Sequence, residues 1–261
     1  MQNTANDEDE AVRITFLDVN QGDCCVIEYG GKVIMIDSGG YSTKEKVENF
    51  LINRNIKDID FAISTHPDED HFGAFEYLAE TVDIKAFYQP DVTQEQQSET
   101  YSKLLELLEN NDSDVNYMYA EDSLNIDLLQ IDVLGPVYVY EEVNEMSLVL
   151  RLSFGDFSVL LCGDMAENEI QDIIDSGKNL KSDILKVSHH GSKTGINEEF
   201  FDIISPDISV ISVGENNYNL PSYEVLNLLE AKSMVLRTDR DGNITVSVSQ
   251  NSEYIINTER N

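Results

Sequence analysis

All four histidines of this 261-residue chain fall in two places. His66 and His71 close the ends of the run His66-Pro67-Asp68-Glu69-Asp70-His71, and His189 and His190 are adjacent. Each group directly follows a short apolar stretch that reads as a buried strand, Phe61 to Ser64 in the first case and Ile184 to Val187 in the second. The first run offers His66, Asp68, Asp70 and His71 as nitrogen and oxygen donors. A loop at a strand end can turn side chains from alternate positions inward, so that two cations a few ångströms apart each draw on two of these donors. Glu69, between two of the candidates, is expected to point outward. Asp164 follows Ser158 to Gly163 (SVLLCG), where a carboxylate is costly unless it is paired or bound to a cation. It is the natural bridging ligand. Asp37 follows the apolar Val33 to Ile36 in the same way. A donor set without thiolates and rich in carboxylate suits zinc or manganese.

Each feature alone has an ordinary explanation. A His-rich loop can be a surface loop, and an Asp after a strand is commonly a turn residue or helix cap, which would account for Asp37, Ser38 and Asp164 one by one. Those explanations fail jointly, because they leave unexplained why every histidine obeys the same placement.

The elements that must position these groups alternate strands with helices. Strands are expected at Val12 to Val19, on both sides of Gly30 and Gly31 as a hairpin ending at Asp37 to Gly40, at Phe61 to Ser64 and at Ile84 to Tyr88. Helices are expected from Ser42 to Asn53 and from Gly73 to Glu80. The polar stretch Asp91 to Asp122 holds one amphipathic helix, Glu99 to Glu109, with Leu104, Leu105 and Leu108 on one face, and reads as a lid or an insertion. Further strands are expected at Ile126 to Leu134, Ser147 to Ser153, Phe157 to Leu161, Ile184 to Val187, Ile208 to Val213, Met234 to Arg237 and Asn243 to Val248. Helices at Glu167 to Ile174, Glu198 to Ile203 and Tyr223 to Leu229 separate them. With no Pro-rich or Ser-rich linker between the two blocks, the pattern predicts one α/β domain over residues 12–250, with two packed sheets and helices outside. Residues 1–11 read as a disordered lead or the stub of a removed targeting segment, and residues 251–261 as a polar tail.

Composition bounds the rest. Lys and Arg total 17 against 50 Asp and Glu, a net charge of −33, which disfavours nonspecific attraction to nucleic acid or anionic lipid. A polyanionic substrate would need local help, and bound divalent cations would supply it. The 41% hydrophobic content supports a sizeable core. Cys24, Cys25 and Cys162 are too few for a disulfide framework, and adjacent Cys24 and Cys25 should face opposite sides of a strand. No window approaches the length of a membrane span, so no membrane insertion is expected, and no protein partner is inferable.

The ordered motifs FLDVNQGD, MIDSGG, THPDEDHFG, NEMSLVLRL, LLCGD, LKVSHHGSKT, ISVGENNYNLPS and LRTDRDGNI resemble the metallo-β-lactamase superfamily, and within it the branch similar to the hydrolase domain of the ComEC-type competence proteins. The resemblance spans residues 12 to 248. It implies a four-layer αββα sandwich and a centre of two divalent metal ions, zinc first and manganese second. It further implies that His66 and Asp68 hold one ion, that Asp70 and His71 hold the other, and that Asp164 bridges them. One of His189 and His190 closes the second site; His190 is favoured as the ligand, leaving His189 to donate a hydrogen bond or a proton. Asp37 would orient a ligand, and Ser188, Ser192 and the Gly191 backbone stand where a substrate phosphate is held. Two departures stand out. Asn144-Glu145-Met146-Ser147 occupies the segment where much of the superfamily has a further His ligand, and Leu220 in Asn217-Tyr218-Asn219-Leu220-Pro221 replaces a His expected on the substrate side.

The chemistry so implied is hydrolysis by a metal-bridging hydroxide oriented by Asp70, with a phosphate-ester substrate, a phosphodiesterase as first choice, and single-stranded DNA as one substrate. Asn144, Ser147, Ser192, Asn217 and Tyr218 are expected beside the substrate or behind the ligands. The competing readings are a hydrolase of small substrates such as phosphocholine esters or lactones, and a noncatalytic binding module on the same fold. Relatives of this kind are bacterial and often act outside the membrane, which implies a secreted or cell-surface location, with a cytoplasmic one as the alternative.

Overall fold

The structure, a computed structural model, describes residues 10–260. The chain opens with β1 (Glu10–Phe16), β2 (Cys25–Tyr29) and β3 (Lys32–Ile36), followed by α1 (Lys44–Asn53), the short β4 (Asp58–Ile59) and β5 (Phe61–Ile63). Then come α2 (Glu69–Thr81), β6 (Asp83–Ile84), β7 (Ala86–Pro90), α3 (Glu99–Asn110) and β8 (Asp114–Met118). A second series runs through β9 (Ser123–Ile126), β10 (Leu129–Gly135), β11 (Val149–Phe154), β12 (Phe157–Leu161), α4 (Glu167–Asp175), β13 (Ile184–Lys186), α5 (Glu198–Ile204), β14 (Ile208–Ile211), α6 (Tyr223–Glu230) and β15 (Met234–Arg237). The one-turn α7 (Thr238–Asp241) leads to β16 (Ile244–Ser249) and β17 (Tyr254–Thr258).

One sheet has eight strands in the order β17-β16-β1-β2-β3-β5-β7-β8, the other seven in the order β15-β14-β13-β12-β11-β10-β9. Period-two alternation distributes their side chains among three cores. Ile14, Cys25, Ile27, Ile34 and Ile36 meet Leu150, Leu152, Phe154, Val159 and Leu161 between the sheets. Val26 and Met35 turn the other way, onto Val47, Leu51, Phe72, Phe75, Leu78, Leu104 and Leu108 of α1, α2 and α3. On the far side, Leu160 and Leu185 pack under Ile170, Ile173, Phe200, Phe201, Val225 and Leu229 of α4, α5 and α6. The result is the expected αββα sandwich, each such side chain contributing about 1.5–3 kcal/mol by burial. Cys25, the first residue of β2, and Cys24 just before it fall in different cores.

Strands β3 and β5 run parallel, as do β12, β13 and β14. The residues that leave β3, β5, β12 and β13 therefore emerge at one end of their sheets, where ligands of open α/β sheets characteristically bind. These are Asp37, His66, Asp164 and His189.

Several expectations change. Helix α2 begins at Glu69 and not Gly73, so half of the His/Asp run is its first turn. Asp68 is the N-cap residue, and Glu69 and Asp70 lie where the helix dipole favours carboxylates. The strand expected from Ile126 to Leu134 is a hairpin of β9 and β10, turning at Asp127 with φ of 49°. Within the stretch read as a lid or an insertion, helix α3 is packed on the core: Tyr101, Leu104 and Leu108 are buried, and the Tyr101 ring lies 4.8 Å from that of Phe72. The polar tail contains β17, antiparallel to β16, with Tyr254 and Ile256 packed against the inter-sheet core. The segment read as a disordered lead falls outside the described residues through residue 9, while Glu10 and Ala11 already belong to β1. Among the described residues no helix is long and apolar enough to cross a membrane.

Candidate metal centre

The first half of the centre is braced from below by Asp37, whose φ of 57° turns it sharply out of β3. Its Oδ1 accepts the Thr65 backbone N–H at 2.7 Å, and its Oδ2 accepts the Thr65 hydroxyl at 2.8 Å and His71 Nδ1–H at 2.9 Å. Because the Thr65 proton is committed to Asp37, its oxygen is left to accept from His66 Nδ1, 3.1 Å away. His190 Nδ1 donates to the Ser212 carbonyl at 2.9 Å. A carboxylate and a carbonyl only accept, so the proton on each of these rings sits on Nδ1. The lone pair is then presented by Nε2.

The Nε2 atoms converge. That of His66 lies 3.6 Å from Asp68 Oδ2, that of His71 3.2 Å from Asp164 Oδ1, and that of His190 3.3 Å from Asp70 Oδ2 and 3.6 Å from Asp164 Oδ2. The rings of His66 and His71 are 4.1 Å apart, and those of His71 and His190 5.6 Å. His66, His71, His190 and Asp164 are buried, yet their three Nε2 atoms and Asp164 Oδ1 have no hydrogen-bond partner. Buried polar atoms are rarely left so. Four converging orphan donors with their back sides fixed are what a pair of divalent cations requires, and six residues could hold them: His66, Asp68, Asp70, His71, His190 and Asp164. The residues present fit the group.

Electrostatics agrees. Burial alone would raise the carboxyl of Asp164, but His71 and His190 outweigh it and hold Asp164 well below the usual carboxylate range. Asp70 is held low against burial by the adjacent His190 and His71. Burial opposes protonation of His71, yet Asp164 and Asp37 push it well up; Asp164 and Asp70 do the same for His190. His189 moves down, burial prevailing over Asp164.

The two adjacent histidines are thus distinct. His190 is buried inside the cluster. His189 keeps 29% of its side chain exposed, with Nε2 3.8 Å from Asp164 Oδ2 and 3.5 Å from Asn144 Nδ2. Both have left-handed backbones, φ 51° and 54°, and Gly191 follows at 83°, where an added Cβ would lie 2.5 Å from that of Pro221. Three such residues in succession turn the chain so that neighbouring rings enter one pocket from different sides.

The other expected residues divide. Ser147 Oγ accepts the Asp164 backbone N–H at 3.1 Å and so supports that carboxylate's position. Glu69 points outward, accepting the Tyr41 N–H at 2.7 Å. Ser188 commits its hydroxyl to the Met165 carbonyl, and Ser192 pairs with Thr194. Asn217 and Tyr218 lie on an exposed loop whose shape is set by Asn216, which accepts from the backbones of Tyr218 and Leu220 and donates to Gly214 and Leu220. Among the described residues nothing ties Asn217 or Tyr218 to the cluster. Sequence reasoning missed Asp23, whose Oδ1 is 3.5 Å from His190 Nδ1, and Lys186, which pairs with Asp23 Oδ2. Asp23 had the same signal as Asp37, a carboxylate beside an apolar strand.

Comparison with known proteins accords with this geometry. The family model for the metallo-beta-lactamase superfamily matches residues 17–215. "ComE operon protein 3" of Bacillus subtilis is 34% identical over 254 residues, covering 88% of this chain and 32% of that protein. "Recombination protein 2" of Haemophilus influenzae is 29% identical over 250 residues, covering 91% of this chain and 29% of that one. The chain therefore spans about a third of the length of these curated relatives. Among solved structures, CmlA, a diiron beta-hydroxylase from Streptomyces venezuelae, superposes with a TM-score of 0.63 at 13% identity, over 92% of this chain and 54% of that one, a likeness of fold.

Proposed function

The chain belongs to the metallo-beta-lactamase superfamily, and from that premise we propose that it is a dinuclear phosphodiesterase, with single-stranded DNA as a substrate. The observation that carries this reading is the convergence of three buried, unpartnered Nε2 atoms on Asp164, whose Oδ1 is itself unpartnered. His66, Asp68, Asp70, His71, His190 and Asp164 would hold the two ions, with His66, His71 and Asp164 grouped closely enough to share one. Zinc is the first candidate and manganese the second, as the donor set suits either. When bound, two such ions supply Lewis acidity toward phosphoryl oxygens and bring the pKa of water toward neutrality.

The protein's own residues do the rest. Asp70, held ionised by His190 and His71, accepts and orients a water proton. His189, neutral and partly exposed beside Asp164, is placed to donate a hydrogen bond to a substrate oxygen, with Asn144 facing its Nε2. Asp37, Thr65 and Ser212 keep the Nδ1 protons away from the pocket. DNA as substrate is supported by similarity to a protein named for recombination. In a chain of net charge −33 the cations would have to attract the polyanion locally.

The test is turnover of bis-p-nitrophenyl phosphate and of a single-stranded oligonucleotide by protein dialysed against chelator and then given zinc or manganese, beside a lactone and a β-lactam. Metal-dependent cleavage of both phosphodiesters is expected. Lactone turnover alone would replace this reading with a small-substrate hydrolase.

A further inference from the structure

Of the 17 Lys and Arg side chains, Lys186 is the buried one among the described residues, with 3% exposure. It ends β13 on the face that alternation assigns to the inter-sheet core: Ile184 lies in that core and Leu185 in the outer one. Its neighbours across the sheet, Leu161 and Val210, are core residues too. An ammonium there is unfavourable unless it is paired with good geometry, and a random core position would hold an aliphatic residue.

The partner explains the choice. Asp23 sits in the loop between β1 and β2, and its backbone belongs to the first half of the centre: its N–H donates to the Asp70 carbonyl at 3.1 Å, and its carbonyl accepts the Gly39 N–H at 2.7 Å. Gly22 presses so closely on the same Asp70 carbonyl that an added Cβ would lie 2.4 Å from it. The Asp23 side chain reaches into the other half instead. Oδ2 pairs with Lys186, and Oδ1, without a hydrogen bond, lies 3.5 Å from His190 Nδ1.

We propose that the buried Asp23–Lys186 pair is a cross-sheet tie that sets the spacing between the two half-sets of cation donors, Asp70 with His71 on one sheet and His190 with Asp164 on the other. Asp23 and Lys186 are positioning residues in this scheme, and neither supplies a donor to the ions. The inference rests on the cation-binding part of the reading above and is independent of the substrate.

The experiment compares wild type, Lys186→Met and the double variant Asp23→Asn with Lys186→Met, each stripped of metal and titrated with zinc against a chromophoric chelator. Cobalt(II) spectra and thermal melts of the metal-free proteins accompany the titration. Lys186→Met is expected to bind zinc about tenfold or more weakly, in the range seen when groups behind metal ligands are removed, and to change the cobalt visible spectrum. The double variant, which leaves no lone buried charge and so guards against simple misfolding, is expected to share both effects. A lowered Tm with unchanged zinc affinity and cobalt spectrum in either folded variant overturns the tie and leaves an ordinary buried ion pair. So does tighter binding, which would mean that Lys186 acts mainly by repelling cations. A wild type that binds neither zinc nor cobalt overturns the cation centre and the tie together.

Discussion

The two halves that meet at the centre hold their side chains by different means. In the first, four donors lie close together in sequence, and hydrogen bonds fix its two histidines: Asp37 alone takes three, from Thr65 twice and from His71 once. In the second, the donors are drawn from separate strand ends, and backbone conformation does much of the work. His189 and His190 both adopt left-handed φ, a state costing roughly 1–3 kcal/mol per residue that persists only where surrounding structure over-determines it. Here that structure is the His189 N–H bonded to the Gly163 carbonyl, the Ser222 N–H bonded to the Gly191 carbonyl, and the His190 ring bonded to Ser212. A compact donor run can be aimed by neighbours a few residues away, whereas a dispersed one has to be aimed by the fold.

The largest effect should come from the carboxylate of the second half that His71 of the first half also faces. Asp164→Ala is expected to leave fewer than two ions per chain by elemental analysis and to lower phosphodiester turnover by on the order of 10³-fold; unchanged metal content would show that the halves work without a shared carboxylate.

Next, the two adjacent histidines should part company. His190→Ala loses metal, while His189→Ala keeps it and loses about 10²-fold in turnover as a hydrogen-bond donor to the substrate is removed. Equal metal loss in both variants would make His189 a ligand and the second half larger than described here.

The bracing of the first half is probed by Asp37→Asn, expected to weaken zinc binding about 10–100-fold in a chelator competition. Its counterpart in the second half, Ser147→Ala, touches only the Asp164 backbone and should cost about 1 kcal/mol of stability in a denaturant melt, with little change in affinity. Effects of equal size would erase the contrast between side-chain and backbone aiming.

The smallest effect is the response to pH. His71 and His190 titrate above their ordinary value of 6.5, so their contribution to the cation-free chain is complete below that value and is lost as pH rises through the raised values. Asp70 and Asp164 titrate below 3.8, so theirs is complete above that value and is lost as pH falls through the lowered ones. The cluster therefore contributes most between roughly pH 4 and 6.5 in chelator. Zinc should raise the Tm most above that window, because its binding displaces the two imidazole protons. A zinc-induced increase in Tm that is independent of pH would show that His71 and His190 carry no such protons.

Much of this was legible in the chain. Alternation and strand-end chemistry located His66, Asp68, Asp70, His71, Asp164 and Asp37, and motif order pointed to the sandwich. What was misread was local and marginal. The start of α2 was hidden because Asp68 and Asp70 looked like loop ligands when they are also the cap and first turn of a helix. Strand β17 was hidden because its apolar residues do not alternate: Tyr254 and Ile256 pack on the core while Ile255 between them is exposed. The Asp23–Lys186 pair could not be read at all, since its members are 163 residues apart and Lys186 looks like an ordinary exit from a strand.

Residue type and short-range spacing marked the candidate cation ligands and the strand ends from which they would emerge, because the period of a strand and the cost of burying a carboxylate are local properties. Which ring of the His189–His190 pair enters the cluster, which nitrogen of each ring is left free, and what neutralises Lys186 were decided only when two sheets closed on one another. Those outcomes depend on hydrogen bonds and ion pairs between segments that share no neighbourhood in the chain.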